Sequence, residues 1–305
     1  MTKKTIELIG VPFDLGGGNI RGACMGPEAI RMAGLRSRIE FLGFKVHDQG
    51  NISVPVRENI DARHEKDKFV VPIVELCQNL MTLTKNSLDQ GHLPILLGGD
   101  HSIAIGTISG VAAHLKARDK KLGLIWVDAH GDINTPATSP TGHIHGMPLA
   151  TILGFGHELL VNLGDNPVRV APENVALIGI RNIDNDEKKI VQKSGIHYFT
   201  MRDIDEKGIA WVMDRAIAAA SQGTEGIHIS CDMDALDPIH APGVSVPEPG
   251  GLSYREARML MERAHETKKI ISLEFVEVNP ALDIRGQTAN LCVDLIQSAL
   301  GRMII

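Results

Sequence analysis

Short runs rich in Ile, Val and Leu recur along the chain, and between them apolar residues fall three and four apart. A brief continuous apolar run suits a strand buried on both faces, whereas the wider spacing places one apolar stripe along a helix. The runs predict strands at 5–9, 43–48, 93–97, 122–128, 174–180, 196–199, 226–231 and 269–275. Pro27 stands where a first-turn proline is tolerated, and the segment from there to about Glu40 reads as one helix. Val70, Ile73, Val74, Cys77, Leu80 and Met81 make a stripe at helical spacing. Ser253 with Glu256 is a capping-box pattern that opens a helix to about Glu266, and Cys292, Leu295, Ile296, Ala299 and Leu300 stripe a last helix. Alternating strands and helices predict repeated βα units around a parallel sheet. Periodicity does not separate a closed eight-stranded barrel from an open doubly wound sheet, because both carry ligands at the carboxyl ends of their strands.

Length and charge narrow the function classes. The chain has 305 residues, enough to bury a substantial core, and its motifs span both halves, so residues 1–305 are expected to form one domain. Gly- and Pro-rich stretches at 14–27, 131–148 and 237–252 each follow a strand or its motif and read as pocket loops rather than linkers. With 31 basic against 37 acidic residues the formal charge is −6, and no basic run clusters, which argues against nucleic acid as a partner. A small cation would be mildly attracted. Cys24, Cys77, Cys231 and Cys292 are scattered without C-x-x-C spacing and read as reduced thiols of a cytoplasmic protein. The apolar run after the first lysines is too short for a signal-peptide core, and none approaches the ~18 residues of a membrane span.

The chemistry lies where apolar runs end. The run LPILLGGDH ends in His101, the next closes on DAHGD at 128–132, and a later one on CDMDALDP at 231–238. In an extended segment alternate residues share a face, so Asp128, His130 and Asp132 are expected to converge on one point, and Asp232 with Asp234 on another. By the same alternation Cys231 and Met233 should face the core. Four crowded carboxylates without countercharge would repel one another strongly. Two divalent cations balance four Asp charges when His101 and His130 are neutral. Oxygen-rich ligands with one imidazole per ion suit a harder metal such as manganese better than a thiolate-type zinc site. Taken singly, the aspartates can be helix caps or solvated loop acids, and the histidines hydrogen-bonded loop residues. Three glycines at 16–18 fit neither G-x-G-x-x-G nor G-K-[ST], so they read as backbone freedom beside a pocket rather than as a phosphate loop.

GGDHS at 98–102, DAHGD at 128–132, HGMP at 145–148, CDMDALDP at 231–238 and EVNP at 277–280 resemble, in that order, the arginase group of ureohydrolases. The likeness runs from LIGVPFDLGGG near residue 8 to TANLCVDLIQSALG near the end. It implies a three-layer α/β/α fold with a parallel eight-stranded sheet, two Mn²⁺ per chain, and self-association as a trimer or hexamer. One ion would take His101, Asp128, Asp132 and Asp232, and the other His130, Asp128, Asp232 and Asp234, with Asp128 and Asp232 bridging. Two ions about 3.5 to 4 Å apart can share and acidify one water. A guanidinium demands such a nucleophile, since it is planar, delocalised and permanently charged. The resemblance further implies that Glu277 pairs with the guanidinium of a small cationic substrate, that His145 shuttles a proton to the leaving amine, and that Asp132 orients the nucleophile. Asn134, Thr141 and Asp184 match positions that hold the substrate's amino-acid end.

Three positions depart from the pattern. His143 stands where Asn is usual, Val246 where Thr is usual, and Glu274 where Asp is usual. The expected reaction is L-arginine plus water to L-ornithine plus urea. Alternatives are agmatinase or another guanidino or formimino hydrolase, a single-zinc deacetylase of related fold, and a non-enzymatic binding protein.

Overall fold

A computed structural model describes residues 4–17, 21–60, 69–164, 167 and 169–303, so Gly18 and the extreme N-terminus lie outside the described residues. All eight apolar runs form strands: β1 (Ile6–Gly10), β2 (Val46–Asn51), β3 (Leu93–Leu97), β4 (Leu122–Val127), β5 (Val175–Ile180), β6 (His197–Thr200), β7 (Gly226–Asp232) and β8 (Ile270–Val276). They make one open sheet in the order β2-β1-β3-β8-β7-β4-β5-β6, with every pairing parallel. The chain leaves a gap between β3 and β4 that β7 and β8 fill later, and the open sheet replaces the barrel that periodicity allowed.

Strand alternation sorts the apolar side chains between two helical layers. Ile125 and Val127 pack with Ile229, Phe275 and the helix Gln287–Ala299 on one face, while Leu124 and Trp126 pack with the helix Ala104–Lys116 on the other. A second cluster on that other face joins Ile9 and Leu96 to Ile73, Leu76, Cys77 and Leu80 of the helix Val70–Asp89, which carries the predicted stripe. Each fully buried Leu, Ile or Phe contributes roughly 1.5–3 kcal/mol by leaving water, so the sheet is held from both sides. Cys231 and Met233 are fully buried, as alternation requires. The capping box predicted at Ser253 and Glu256 is formed and opens the helix Tyr254–Glu266.

Most strand ends fall within a residue of expectation, and two boundaries differ by more. The helix expected from Pro27 to Glu40 is two helices, Gly26–Met32 and Leu35–Phe41, because Gly34 turns left-handed at φ 85° and starts the second on a new axis. The second strand begins at Val46 rather than 43, since Gly43, also left-handed, is still turning out of the preceding helix and Val46 is the residue that pairs with Ile6. This is an edge strand exposed on alternate residues, so its hydropathy marks its ends weakly. Among the described residues no helix is long and apolar enough to cross a membrane, and the four cysteines are free.

Register sets the stage for the site. Leu97 pairs with Phe275, Phe275 with Cys231, and Cys231 with Val127, so one row crosses the four central strands. The residues that follow this row leave the sheet at one level, and they are the GGDH, EVNP, CDMD and DAHGD segments.

Candidate metal centre

Directly above that row the carboxyl ends of β3, β4 and β7 bring His101, Asp128, His130, Asp132, Asp232 and Asp234 together. The Nδ1 of His101 lies 3.1 Å from Asp128 Oδ2, 3.1 Å from Asp132 Oδ2 and 3.2 Å from Asp232 Oδ2. The Nδ1 of His130 lies 3.0 Å from Asp234 Oδ2 and 3.5 Å from Asp128 Oδ1. Two ligand groups result, His101–Asp128–Asp232 and Asp128–His130–Asp234, with the atoms of each within 4.8 Å of one another. Asp128 belongs to both and turns one oxygen toward each imidazole. Asp232, which the family pattern gives a second bridge, falls in the first group, and Asp132 stands beside it.

The residues converge by turning, not by strand alternation. β4 stops at Val127, and Asp132 takes a left-handed φ of 49°. Asp232 ends β7, and Asp234 sits in the 3-10 turn Met233–Ala235, where Asp232 Oδ1 accepts from the Asp234 N–H at 2.8 Å. The expectation of extended segments therefore fails locally, because β4 ends just before Asp128 and β7 ends at Asp232, although the side chains still meet.

Burial makes the cluster's charge the controlling quantity. Asp128 is fully buried, and the other three aspartates are nearly so. Burial and then repulsion from Asp128 push Asp132 up to about 7, burial and Asp234 raise Asp232 well above the usual carboxylate range, and burial raises Asp234. For Asp128, burial is outweighed by His101 and His130, which hold it below its ordinary value. Burial favours neutral imidazoles, yet the surrounding carboxylates raise His101 well above 6.5 and raise His130 as well. Without another cation, the protein supplies the countercharge by holding protons.

The donor set fits divalent ions. The buried Nδ1 of His101 has no aligned hydrogen-bond partner although three carboxylate oxygens lie close to it. Its Nε2 bonds Ser230 Oγ at 2.8 Å, and its ring stacks on Trp126 at 4.1 Å between centroids, so Nδ1 is held facing the carboxylates. Trp126 Nε1 donates to Asp128 Oδ2 at 2.9 Å. Trp126 and Ser230 escaped the sequence reading, yet each stands two residues before a motif aspartate, on the same strand face. Beside Ser230, in register with it on β8, the fully buried Glu274 lies 3.3 Å from His228.

The cluster floors a cleft of about 270 Å³ whose walls include Asn134, Thr141, His143, His145, Asp184, Val246 and Glu277. Every residue expected to meet substrate therefore faces one space. Glu277, after β8, is nearly buried with φ 62°, and its Oε1 accepts from the His101 backbone N–H at 3.0 Å. His145 Nδ1 lies 3.2 Å from the same oxygen, and although burial opposes its charge, Glu277 lifts it to about 9. Asp184 caps the helix Asn185–Ser194 in a capping box with Glu187 and accepts from Asn134 Nδ2 at 3.1 Å. Glu187 also lines the cleft and was missed, although D-x-x-E before a helix is a legible capping signal. Gly16 and Gly17 donate their N–H groups to Asp100 Oδ2, and the Gly16 carbonyl accepts from the N–H of the cleft-wall residue His145 at 3.2 Å.

Comparison with known proteins agrees with this architecture. The model of the arginase family matches residues 4–301. The arginase of Brevibacillus brevis is 47% identical over 298 residues, 98% of each chain. The solved arginase of Bacillus caldovelox superposes with a TM-score of 0.94 at 44% identity, covering 99% of this chain and 100% of that one. An Entamoeba histolytica arginase solved in complex with L-ornithine gives 0.89 at 30% identity, with 99% and 100% covered. Matches that run the full length of both partners leave one assignment for a sheet that gathers these ligands at its carboxyl edge: the chain belongs to the arginase family.

Proposed function

We propose that the protein hydrolyses L-arginine to L-ornithine and urea with two manganese ions held by His101, Asp128, His130, Asp132, Asp232 and Asp234. The observation that carries the reading is the pair of His–Asp groups sharing Asp128 on the floor of a cleft that also holds Glu277. When bound, a pair of divalent ions supplies the Lewis acidity that generates a strong nucleophile from water at neutral pH. Oxygen-dominated ligands with one imidazole per group favour manganese among the divalent candidates. A cytoplasmic setting accords with the four free cysteines, and the whole chain, 1–305, works as one domain.

The chain's own residues do the rest. Glu277 offers a buried carboxylate to the guanidinium, fork to fork, and fixes the plane of the group under attack. Asp132, one side of the ligand cluster, accepts a hydrogen bond from the nucleophile and aims it at the guanidino carbon. Attack gives a tetrahedral carbon, the bond from that carbon to the ornithine Nε breaks, and His145 protonates the departing amine. Glu277 lifts the His145 imidazole to about 9, which favours the protonated form that the leaving amine needs. At the outer end, Asp184 receives the α-amino group, while Asn134, Thr141 and His143 donate to the α-carboxylate, the histidine directly or through water.

His143 and Val246, both in the cleft wall, depart from the family pattern, and by resemblance His143 stands at the end of the pocket where arginine and agmatine differ. The test is urea release by manganese-loaded protein with arginine, agmatine and related guanidines, beside elemental analysis. A higher kcat/KM for arginine is expected. Preference for agmatine overturns the substrate and keeps the chemistry, whereas a single tightly held metal with no urea from any guanidine overturns both.

A further inference from the structure

The opposite rim of the sheet carries a second set of metal-capable groups that the arginase reaction does not use. Glu7 of β1, His47 of β2 and His92, just before β3, meet at the amino ends of their strands, with ligand atoms within 4.8 Å of one another. Glu7 and His47 are direct partners across the β1–β2 pair, so the sheet itself sets their spacing. His47 Nδ1 lies 3.0 Å from Glu7 Oε1, and His92 Nδ1 lies 3.2 Å from Oε2. Ligands bonded at 2.0–2.1 Å around a tetrahedral ion stand roughly 3.3 Å apart, so small shifts would admit one.

Charge gives the independent argument. Glu7 is 2% exposed, and among the described residues both of its ion pairs are with imidazoles. Buried charges are paired or bind metals, and here two imidazoles, the commonest metal ligands, face the carboxylate. Gln49 Nε2 also donates to Glu7 Oε1 at 2.5 Å, which helps to hold the carboxylate between the two imidazoles. His47 is 59% exposed at its side chain, which leaves a path from solvent.

We propose that Glu7, His47 and His92 form a third metal site, separate from the catalytic pair, that takes a borderline transition-metal ion such as Zn²⁺. Two imidazoles and one carboxylate suit Zn²⁺, Ni²⁺ or Co²⁺ better than the harder ion favoured by the aspartate cluster. Such an ion clamps β1, β2 and the turn into β3 together and stabilises the fold by mass action. The inference does not rest on the proposed reaction.

Manganese-loaded wild type, His47→Ala and His92→Ala are each equilibrated with zinc, and manganese and zinc are counted per chain alongside melting temperature. Wild type is expected to hold one more metal equivalent than either variant and to gain a few degrees with zinc, a gain both variants lose. Urea release should be the same in wild type and His47→Ala. Replacement of zinc by cobalt should give a visible absorption band stronger in wild type than in either variant. Equal total metal in all three proteins overturns the proposal, as does a wild-type cobalt band no stronger than that of His47→Ala. Any exchange of manganese for zinc at the catalytic cluster is common to all three and cancels in the difference.

Discussion

Glu277→Gln keeps the size of a nearly buried side chain and an oxygen able to accept the His101 backbone N–H, but it removes the negative charge. Two arguments bound the effect. A unit charge pair 4 Å apart is worth about 4 kcal/mol at an effective dielectric of 20. A hydrogen bond to a charged group contributes about 1.5–3 kcal/mol, and the glutamine N–H₂ would face the guanidinium donor to donor. A loss of about 3–4 kcal/mol in transition-state binding follows, or roughly 10²–10³-fold in kcat/KM for arginine. His145 is affected too, since Glu277 is what lifts it to about 9, and the basic limb of the pH profile should move to lower pH in the variant. The assay is steady-state urea release across pH 6–10 with metal content measured on the same samples. Metal should stay at the wild-type level, because neither ligand group contains Glu277. A loss below tenfold with the limb unmoved would refute the guanidinium assignment, and loss of metal would show that the residue supports the cluster instead.

Asp128→Ala removes the one residue common to both ligand groups and leaves the Trp126 indole N–H without its acceptor. Metal occupancy and turnover should vanish together in elemental analysis and urea release, and full activity would falsify the metal reading. His145→Ala should keep its metal and lower kcat by about 10²–10⁴-fold, the usual span for a lost general acid. Metal removal has a pH signature whose sign is fixed. In the metal-free protein His101 and His130 are raised above 6.5 and Asp132 stands at about 7, so at pH 7 the cluster holds protons that ligation must expel. With Asp232 also raised well above the carboxylate range, manganese binding should release several protons at that pH and weaken as pH falls, as calorimetry in buffers of different ionisation enthalpy will measure. A release near zero would mean that the pocket holds its imidazoles neutral without the ion.

How much of this was legible in the sequence depends on where the backbone is regular. The six inner strands and the parallel character of the sheet follow from apolar runs, because residues buried on both faces leave a clear trace, while the edge strands β2 and β6 leave a weaker one. Open sheet against barrel was not legible, since it depends on β7 and β8 inserting between β3 and β4, a long-range choice that local periodicity does not carry. Within the site the ligands were readable as residue types in sequence, but the reason given for their convergence was not the operative one. Alternation accounts for Trp126 beneath Asp128 and Ser230 beneath Asp232, still on or beside the ladder, and it fails at Asp132 and Asp234, where the ladder has ended. Gly34 was visible as a residue and missed as a break because a glycine inside a helix-period segment costs only about 1 kcal/mol, too little to decide from pattern alone.

The same distinction explains why two carboxylates at the site sit on strained backbone. Asp132 and Glu277 are non-glycine residues in the left-handed region, at φ 49° and 62°, a conformation that costs on the order of 1–3 kcal/mol each. Such strain persists only where the surroundings over-determine it. The Glu277 N–H is fixed to the Gly99 carbonyl at 2.8 Å, and Gly99 is pressed so closely on Phe13 that a Cβ there would lie 2.1 Å from the Phe13 carbonyl oxygen. The Asp132 carbonyl accepts from the Leu149 N–H at 2.9 Å, tying its turn to the helix Pro148–Leu153. Backbone contacts of neighbouring loops, not side-chain preference, thus turn both carboxylates back over the row of strand ends and into the cleft. A longer, relaxed loop would let repulsion among four buried acids spread them apart, and the cluster exists because the main chain denies them that escape.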